Sequence, residues 1–354
     1  MKSTSQKDQL VIQGEKNLSN IIIGGSLTDV EDYIPVEKVI ILTDNNVFRL
    51  YSSDFPDYPV IRIGTGEKIK DLRTVDYVYE KLMELNADRT FFLLAIGGGL
   101  VCDIAGFVAS TYMRGIRFGF VSTTLLSQVD ASVGGKNGIN FRGIKNLIGV
   151  FNQPEFVICD HLLFKTLPEK EFFSGMAEVL KYALIKDACL LKIMEQDMGK
   201  IRKWDPDMIH EIVLRSVKIK KEIVEKDESE KGLRRLLNFG HTFGHAIENV
   251  HNLRHGEAIS YGMLIATYIS EKEGYLNTTD ASRIRSFIMS SGLISKININ
   301  VSRVREVFRT DKKREGDLIY FVLLSSIGDA FFKPMKIENL EKHLQEWADS
   351  FIKI

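Results

Sequence analysis

An α/β half built on a parallel sheet, followed by a mostly α-helical half, is the fold class that the sequence predicts. Three observations carry it: short apolar runs separated by Gly, Asp and Asn in the first half, helical periodicity through most of the second, and a length of 354 residues, more than one compact domain usually holds. In order, the runs are VIILTD at 39–44, VIRI at 60–63, FFLLAI at 91–96, FGFVST at 118–123 and FVIC at 156–159. Alternating with amphipathic segments such as Leu72–Leu85, they predict buried parallel strands joined by crossover helices, a Rossmann-like arrangement. After Pro168 the segments 172–185, 208–224 and 258–273 repeat apolar residues at helical period and are rich in Ala, Leu, Lys and Glu. LIYFVLL at 318–324, bounded by Gly316 and Gly328, is too rich in β-formers for a helix and predicts a late strand. The expected division is a domain over 1–165 and a second over 166–354, abutting at a cleft. Residues 1–20 and the helices after Leu276 carry no motif.

Composition narrows the function classes. Lys plus Arg and Asp plus Glu both total 47, so no global field favours nucleic acid or an anionic membrane, and any basic cluster must be local. Hydrophobic residues at 44% and charged residues at 27% exclude a disordered chain. The start MKSTSQKDQLVIQ has no apolar core of secretory length, no later stretch approaches a membrane span, and a cytoplasmic location is expected. Cys102, Cys159 and Cys189 are odd in number and scattered, which suits reduced packing thiols. A metal, if present, falls to His and carboxylate.

Two segments of the first half suggest a nucleotide. FFLLAIGGGLVCDIAGFVA reads as strand, three glycines, then a helix starting near Leu100, whose free amides and positive dipole end suit a pyrophosphate. It departs from GxGxxG, and a mere tight turn explains it equally well. VSTTLLSQVDASVGGK follows the next strand, where Thr123, Thr124 and Asp130 suit amide and ribose groups, although helix capping by Thr and Ser is the simpler account.

The second half suggests a metal. In NFGHTFGHAIENVHNLRHGEA, His241 and His245 are four apart and share one helix face, and His255 follows in a loop ahead of the next helix. Four of the chain's seven His lie between 241 and 255, which favours a metal over satisfied core imidazoles. Thr242 stands where HExxH would carry its Glu, so peptide hydrolysis is disfavoured. Glu178 in SGMAEVLKYALI lies on an apolar stretch with Lys181 one turn on. It either pairs with Lys181 or meets a metal, and both can hold together.

In order and spacing, GEKIK, GGGLVCD, MRG, TTLLSQVDASVGGK, IKNLIG, SGMAEVLKY, GLRRLLNFGHTFGHA, RHGEA and DKK resemble the 3-dehydroquinate synthase family, from about Gly66 to Lys313. The resemblance implies a dehydroquinate synthase-like fold, an NAD-binding α/β domain before a helical metal- and substrate-binding one. It implies zinc, with cobalt or iron also compatible, on Glu178, His241 and His255. NAD contacts fall on Glu67, Lys70, Gly98, Gly99, Leu100, Asp103, Thr123, Thr124 and Leu126, with Asp130 and Lys145 at the nicotinamide end. Lys136 lies beside cofactor and substrate. The substrate's phosphate and carboxylate fall to Lys136, Asn146, Lys181, Lys220, Arg234, Asn238, His245 and Lys312, with Lys313 beside it. Arg114 reaches in from a second subunit of a homodimer. Without the resemblance, Lys220, Arg234 and DKKRE read as solvated surface charge.

The implied reaction converts 3-deoxy-D-arabino-heptulosonate 7-phosphate to 3-dehydroquinate and phosphate, a step toward chorismate and the aromatic amino acids. It runs through transient oxidation at C5, β-elimination of phosphate, reduction, ring opening and aldol closure, with NAD regenerated. His245, Lys136 and Asn238 would relay protons and orient the substrate. The departures at Cys102, where the family more often has Gly, and in the variant loop FRGIKN replace no residue with a chemical role, Lys145 and Asn146 of that loop included. Rivals are a sibling sugar phosphate cyclase of the deoxy-scyllo-inosose or valiolone type, a metal-dependent polyol dehydrogenase, and an inactive scaffold homologue. Arg234, Asn238, Lys220 and DKK favour the carboxylated substrate.

Overall fold

The structure, a computed structural model, describes residues 6–309 and 314–351. In chain order the first stretch holds β1 (Asp8–Gln13), β2 (Leu18–Ile23), β3 (Val39–Asp44), α1 (Asn45–Tyr51), β4 (Val60–Ile63), α2 (Leu72–Glu84), β5 (Phe92–Gly97), α3 (Gly99–Thr111), β6 (Arg117–Ser122), β7 (Lys136–Phe141), β8 (Ile144–Phe151) and β9 (Phe156–Cys159). Then come α4 (Glu169–Lys186), α5 (Ala188–Arg202), α6 (Pro206–Lys226), α7 (His241–His251), α8 (His255–Lys272), α9 (Thr278–Ser290), α10 (Val301–Phe308), β10 (Arg314–Glu315), β11 (Leu318–Ser326), β12 (Asp329–Lys336) and α11 (Ile337–Phe351). Among the described residues no helix is long and apolar enough to cross a membrane.

Two compact units result, one of Met1–Phe172 with Trp204–Ser229, the other of Phe173–Lys203 with Glu230–Ile354. A single cut near residue 165 does not describe this division, because α6 belongs with the first unit. His210 on α6 meets Asp8 on β1 (Nε2 to Oδ2, 2.7 Å), and Glu225 accepts a hydrogen bond from the Gln13 amide at 2.9 Å.

The first unit is the α/β half. Its sheet runs β1-β2-β9-β6-β5-β3-β4, parallel except for the pairing of β1 with β2. β5, beneath helices and between two strands, is buried at every residue, which is why FLLAIG is uninterrupted by polar side chains. Ile22, Ile41, Phe92, Leu94, Ile96, Val121, Phe156 and Ile158 form the core, each worth roughly 1.5–3 kcal/mol when removed from water. From β3 the chain steps outward to β4, and from β5 it steps the other way to β6. The carboxyl ends of β3 and β5 therefore flank a topological switch point, where α/β sheets take ligands. β7 and β8 form a separate hairpin that the sequence does not announce.

The second unit is helical apart from a three-stranded antiparallel sheet, β10-β11-β12. The late strand at 318–324 is found as β11; its partner β12, which carries Pro334, is a strand the sequence reading did not include. β12 is an edge of that sheet, and an edge tolerates the missing donor.

His161, opening the turn His161–Thr166 after β9, seals its Nε2 from solvent. Burial, with the neighbouring His210 second, pushes its pKa down to about 3. The unfolded chain titrates this group near ~6.5. The stability it contributes is thus present above ~6.5 and lost as pH falls from there toward 3. His161→Asn, which does not titrate, is expected to show a smaller drop in melting temperature between about pH 7 and pH 4.5 than the native chain, as scanning calorimetry at both values would show.

Candidate metal and nucleotide sites

In the second unit three histidines and two carboxylates converge. His241 is the first residue of α7 and Glu178 lies inside α4. His255 opens α8 rather than lying in a loop before it, so its ring is fixed by a helix. Glu178 Oε1 stands 2.9 Å from His255 Nε2 and 3.4 Å from His241 Nε2. The ligand atoms of Glu178, His241 and His255 all lie within 4.8 Å of one another. His245, Glu248 and His255 form a second such group.

Glycines make this approach possible. A Cβ on Gly262 of α8 would overlap the carbonyl oxygen of Gly240, and one on Gly256 would overlap the backbone of Ser174 in α4. A Cβ on Gly244 would stand 3.0 Å from Ile259 Cα. Gly240, at φ 79°, also supplies the left-handed turn before α7. The backbones of α7, α8 and α4 therefore touch where the three ligands meet.

The electrostatics fit a divalent cation. Glu178 is fully buried; burial alone would raise its pKa, but Lys181 and then His241 hold it well below the usual carboxylate range. Lys181, 1% exposed, forms an ion pair with Glu178 one turn along α4. Burial lowers the His241 pKa against the pull of Glu178, so this imidazole is neutral. His241 Nδ1 donates to Phe239 O at 3.1 Å, which leaves the Nε2 lone pair aimed at Glu178 Oε1. Burial would lower the His255 pKa, but its hydrogen bonds to Glu178 and Glu248 raise it to about 10, so a proton of His255 faces the same Glu178 oxygen; a metal would take the place of that proton, and two imidazoles with one carboxylate are a ligand set for zinc or a related metal.

Nearby, Asn238 Nδ2 donates to Glu230 Oε1 at 2.7 Å, and Arg234 is buried at 1% exposure. Glu230 holds a left-handed φ of 59°. Sequence reasoning missed it because DESEK reads as solvated charge. His241 and His245 rings lie 5.3 Å apart, edge to face. Lys312 and Lys313 lie outside the described residues.

In the first unit Gly98 caps α3 with no side-chain hydrogen bond, leaving the first amides of α3 without a side-chain cap. A Cβ on Gly98 would stand 3.0 Å from Thr124 Cγ2, and one on Gly99 would stand 2.8 Å from Ala131 Cβ. The cradle is thus closed to larger residues and suits a phosphate. Leu100 lies in the first turn of α3; Thr123 lies in the loop after β6, and Leu126 in the helical turn that follows it. Lys70 Nζ reaches Asp103 Oδ2 at 2.5 Å and Asn146 Oδ1 at 2.6 Å. Burial raises the Asp103 pKa despite Lys70. Glu67 accepts from Asn140 Nδ2 at 2.7 Å, a partner the sequence did not suggest. Lys220 donates to Asp130 through Oδ1 at 2.5 Å and the carbonyl at 2.6 Å. Lys136 opens β7 and Lys145 lies on β8, both exposed. Asp44, missed in the sequence, ends β3 at the switch point and caps α1 through the amides of Asn46 and Val47. Arg114 is exposed in a turn where Met113 and Arg114 both have positive φ.

The 3-dehydroquinate synthase N-terminal domain family matches residues 60–174, and the C-terminal domain family matches residues 175–314. The chain belongs to the 3-dehydroquinate synthase family. A curated 3-dehydroquinate synthase of Pelobacter propionicus is 39% identical over 343 residues, covering 92% of this chain and 96% of that one. That of Dictyoglomus turgidum is 42% identical over 307 residues, covering 85% and 86%. Among solved structures, 2-deoxy-scyllo-inosose synthase complexed with carbaglucose-6-phosphate, NAD+ and Co2+ superposes with TM-score 0.87 at 26% identity, covering 96% of this chain and 100% of that one. The 2-epi-5-epi-valiolone synthase of Streptomyces hygroscopicus, with NAD+ and Zn2+ bound, gives 0.84 at 27%, covering 93% and 96%. A probable glycerol dehydrogenase of Sinorhizobium meliloti shares the fold at TM-score 0.68, 15% identity and coverage of 94% and 96%.

Proposed function

We propose that this chain is a 3-dehydroquinate synthase, a lyase that turns 3-deoxy-D-arabino-heptulosonate 7-phosphate into 3-dehydroquinate and phosphate with NAD and a divalent metal, zinc or cobalt. The observation that carries it is the convergence of Glu178, His241 and His255, in a family whose curated members bear that name. When bound, NAD would supply a hydride acceptor that later returns the hydride, and the metal a Lewis acid for the substrate's hydroxyls.

The residues' own work follows from their geometry. Phe239 O fixes the His241 tautomer, and Lys181 keeps Glu178 ionised, so the ligand set is preorganised. In the second unit buried Arg234 suits a bidentate grip on carboxylate or phosphate, with Lys181 a further donor; the family resemblance adds Lys136, Asn146 and Lys220 of the first unit, and Lys312, which lies outside the described residues. Asn238, oriented by Glu230, positions the substrate, and His245 carries the proton of a reacting hydroxyl. Amides at Gly98, Gly99 and Leu100 receive the pyrophosphate, with Thr123, Thr124 and Leu126 beside it. Glu67, Lys70, Asp103, Asp130 and Lys145 line the remainder of NAD, and Asp44 offers its second carboxylate oxygen to a ribose hydroxyl. In this reading two copies assemble, Arg114 of each serving the other's substrate, in the cytoplasm.

The test is to supply the substrate with substoichiometric NAD and follow phosphate and NADH together, before and after chelation. Phosphate in excess of NAD, no lasting NADH and silence after chelation are expected. The likeness to 2-deoxy-scyllo-inosose and 2-epi-5-epi-valiolone synthases supports a second reading, a sibling cyclase. It predicts phosphate release from glucose 6-phosphate, or cyclisation of sedoheptulose 7-phosphate, and none from the carboxylated sugar.

A further inference from the structure

Gln128 is fully buried at the start of a π-helical turn, Ser127–Ala131, and every hydrogen-bonding group of its amide has a designated partner. Its Nε2 donates to Ser122 O at 2.9 Å and to Asp160 O at 3.0 Å. Ser122 ends β6, and Asp160 directly follows its sheet neighbour β9. Two carbonyls at Nε2 fix the amide's orientation, so Oε1 must accept, and its partner is His161 Nδ1 at 3.0 Å. His161 is therefore the Nδ1–H tautomer, with the lone pair on its sealed Nε2. A π-turn of this kind often marks a functional site.

The bond from Gln128 back to Ser122 closes the loop of Thr123, Thr124, Leu125, Leu126 and Ser127. Inside that loop the Gln128 amide donates to Thr124 O at 3.0 Å, and Ser127 N to Thr124 Oγ1 at 3.1 Å. Thr123 N donates to Gly97 O at 3.0 Å, tying the loop to the end of β5.

We propose that Gln128, set by the Nδ1–H of His161, is a positioning residue that latches this loop at the shape the nucleotide needs. Neither residue touches the ligand in this account. Resting on the nucleotide assignment above, the latch acts on cofactor affinity and leaves substrate handling at saturating cofactor unchanged. Without the imidazole donor, Gln128 Oε1 is a buried acceptor with nothing to accept, and the loop pays by opening.

The test compares His161→Leu with His161→Asn, whose side-chain NH2 replaces the Nδ1 donor, and adds Gln128→Leu. NAD dissociation constants come from calorimetry on the full chain, and the His161 tautomer from nitrogen chemical shifts of the native protein. Expected are a roughly tenfold weaker NAD affinity for H161L and Q128L, recovery to within about twofold in H161N, and substrate KM at saturating NAD unchanged. An Nε2–H tautomer, equal affinities in H161L and H161N, or a shift in substrate KM as large as that in NAD affinity would each overturn the latch. If the native chain binds no NAD, the nucleotide assignment fails by itself. Amide exchange across Thr123–Gln128 then decides: faster in H161L and restored in H161N supports the latch, and no difference overturns it.

Discussion

Glu178→Leu is expected to destabilise the chelator-treated protein by up to about 3–5 kcal/mol in urea unfolding, because it removes the fully buried carboxylate that pairs with the Lys181 ammonium. Lys181 can lessen this loss by shedding its proton. The double variant Glu178→Leu with Lys181→Met replaces the ion pair by apolar groups of similar size and should recover most of the stability, since breaking a buried pair costs more than removing it. Metal affinity separates the two roles of Glu178. Both variants should lose calorimetrically detectable metal binding and phosphate release, although only one of them is unstable. A double variant that still binds the metal would remove Glu178 from the ligand set; a single variant as stable as the native chain would show that the pair with Lys181 is not what keeps α4 in place.

Gly262→Ala should be the most damaging single methyl group in the second unit. The new Cβ meets the Gly240 carbonyl oxygen, a backbone atom that cannot rotate away, and would stand 2.8 Å from Gly244 N. Overpacking of this kind costs about 3 kcal/mol at the upper end of its usual range, and relief requires α7 and α8 to separate. His241 and His255 begin those two helices, so metal affinity should fall together with stability. Gly199→Ala is the control. Gly199 is exposed on α5 with nothing near its absent Cβ, and alanine there should stabilise by about 0.5–1 kcal/mol. If G262A binds metal as well as G199A does, close backbone contact is not what assembles the site.

Much of this is legible in the sequence. Buried strands announce themselves through unbroken apolar runs, as in FLLAIG, and two His four apart need only a helix to share a face. What escaped depended on contacts between distant segments. β7 and β8 carry Asn, Lys and Gly with little alternation, so nothing in them signals a hairpin except the turn at Arg142 and Gly143. Glu230 becomes a partner of Asn238 only through a left-handed backbone that no local pattern requires. That α6 belongs with the sheet cannot be read from its periodicity, which is that of any amphipathic helix; its partners Asp8 and Gln13 lie at the other end of the chain.

The polypeptide passes from the first unit to the second, returns through Trp204–Ser229, and leaves again. No single cleavage therefore yields a complete α/β half. A fragment ending at Phe172 lacks α6, exposes the β1 edge that α6 engages, and loses Lys220, which holds Asp130. Split-gene complementation, circular permutation or domain exchange with a relative would have to carry three junctions rather than one.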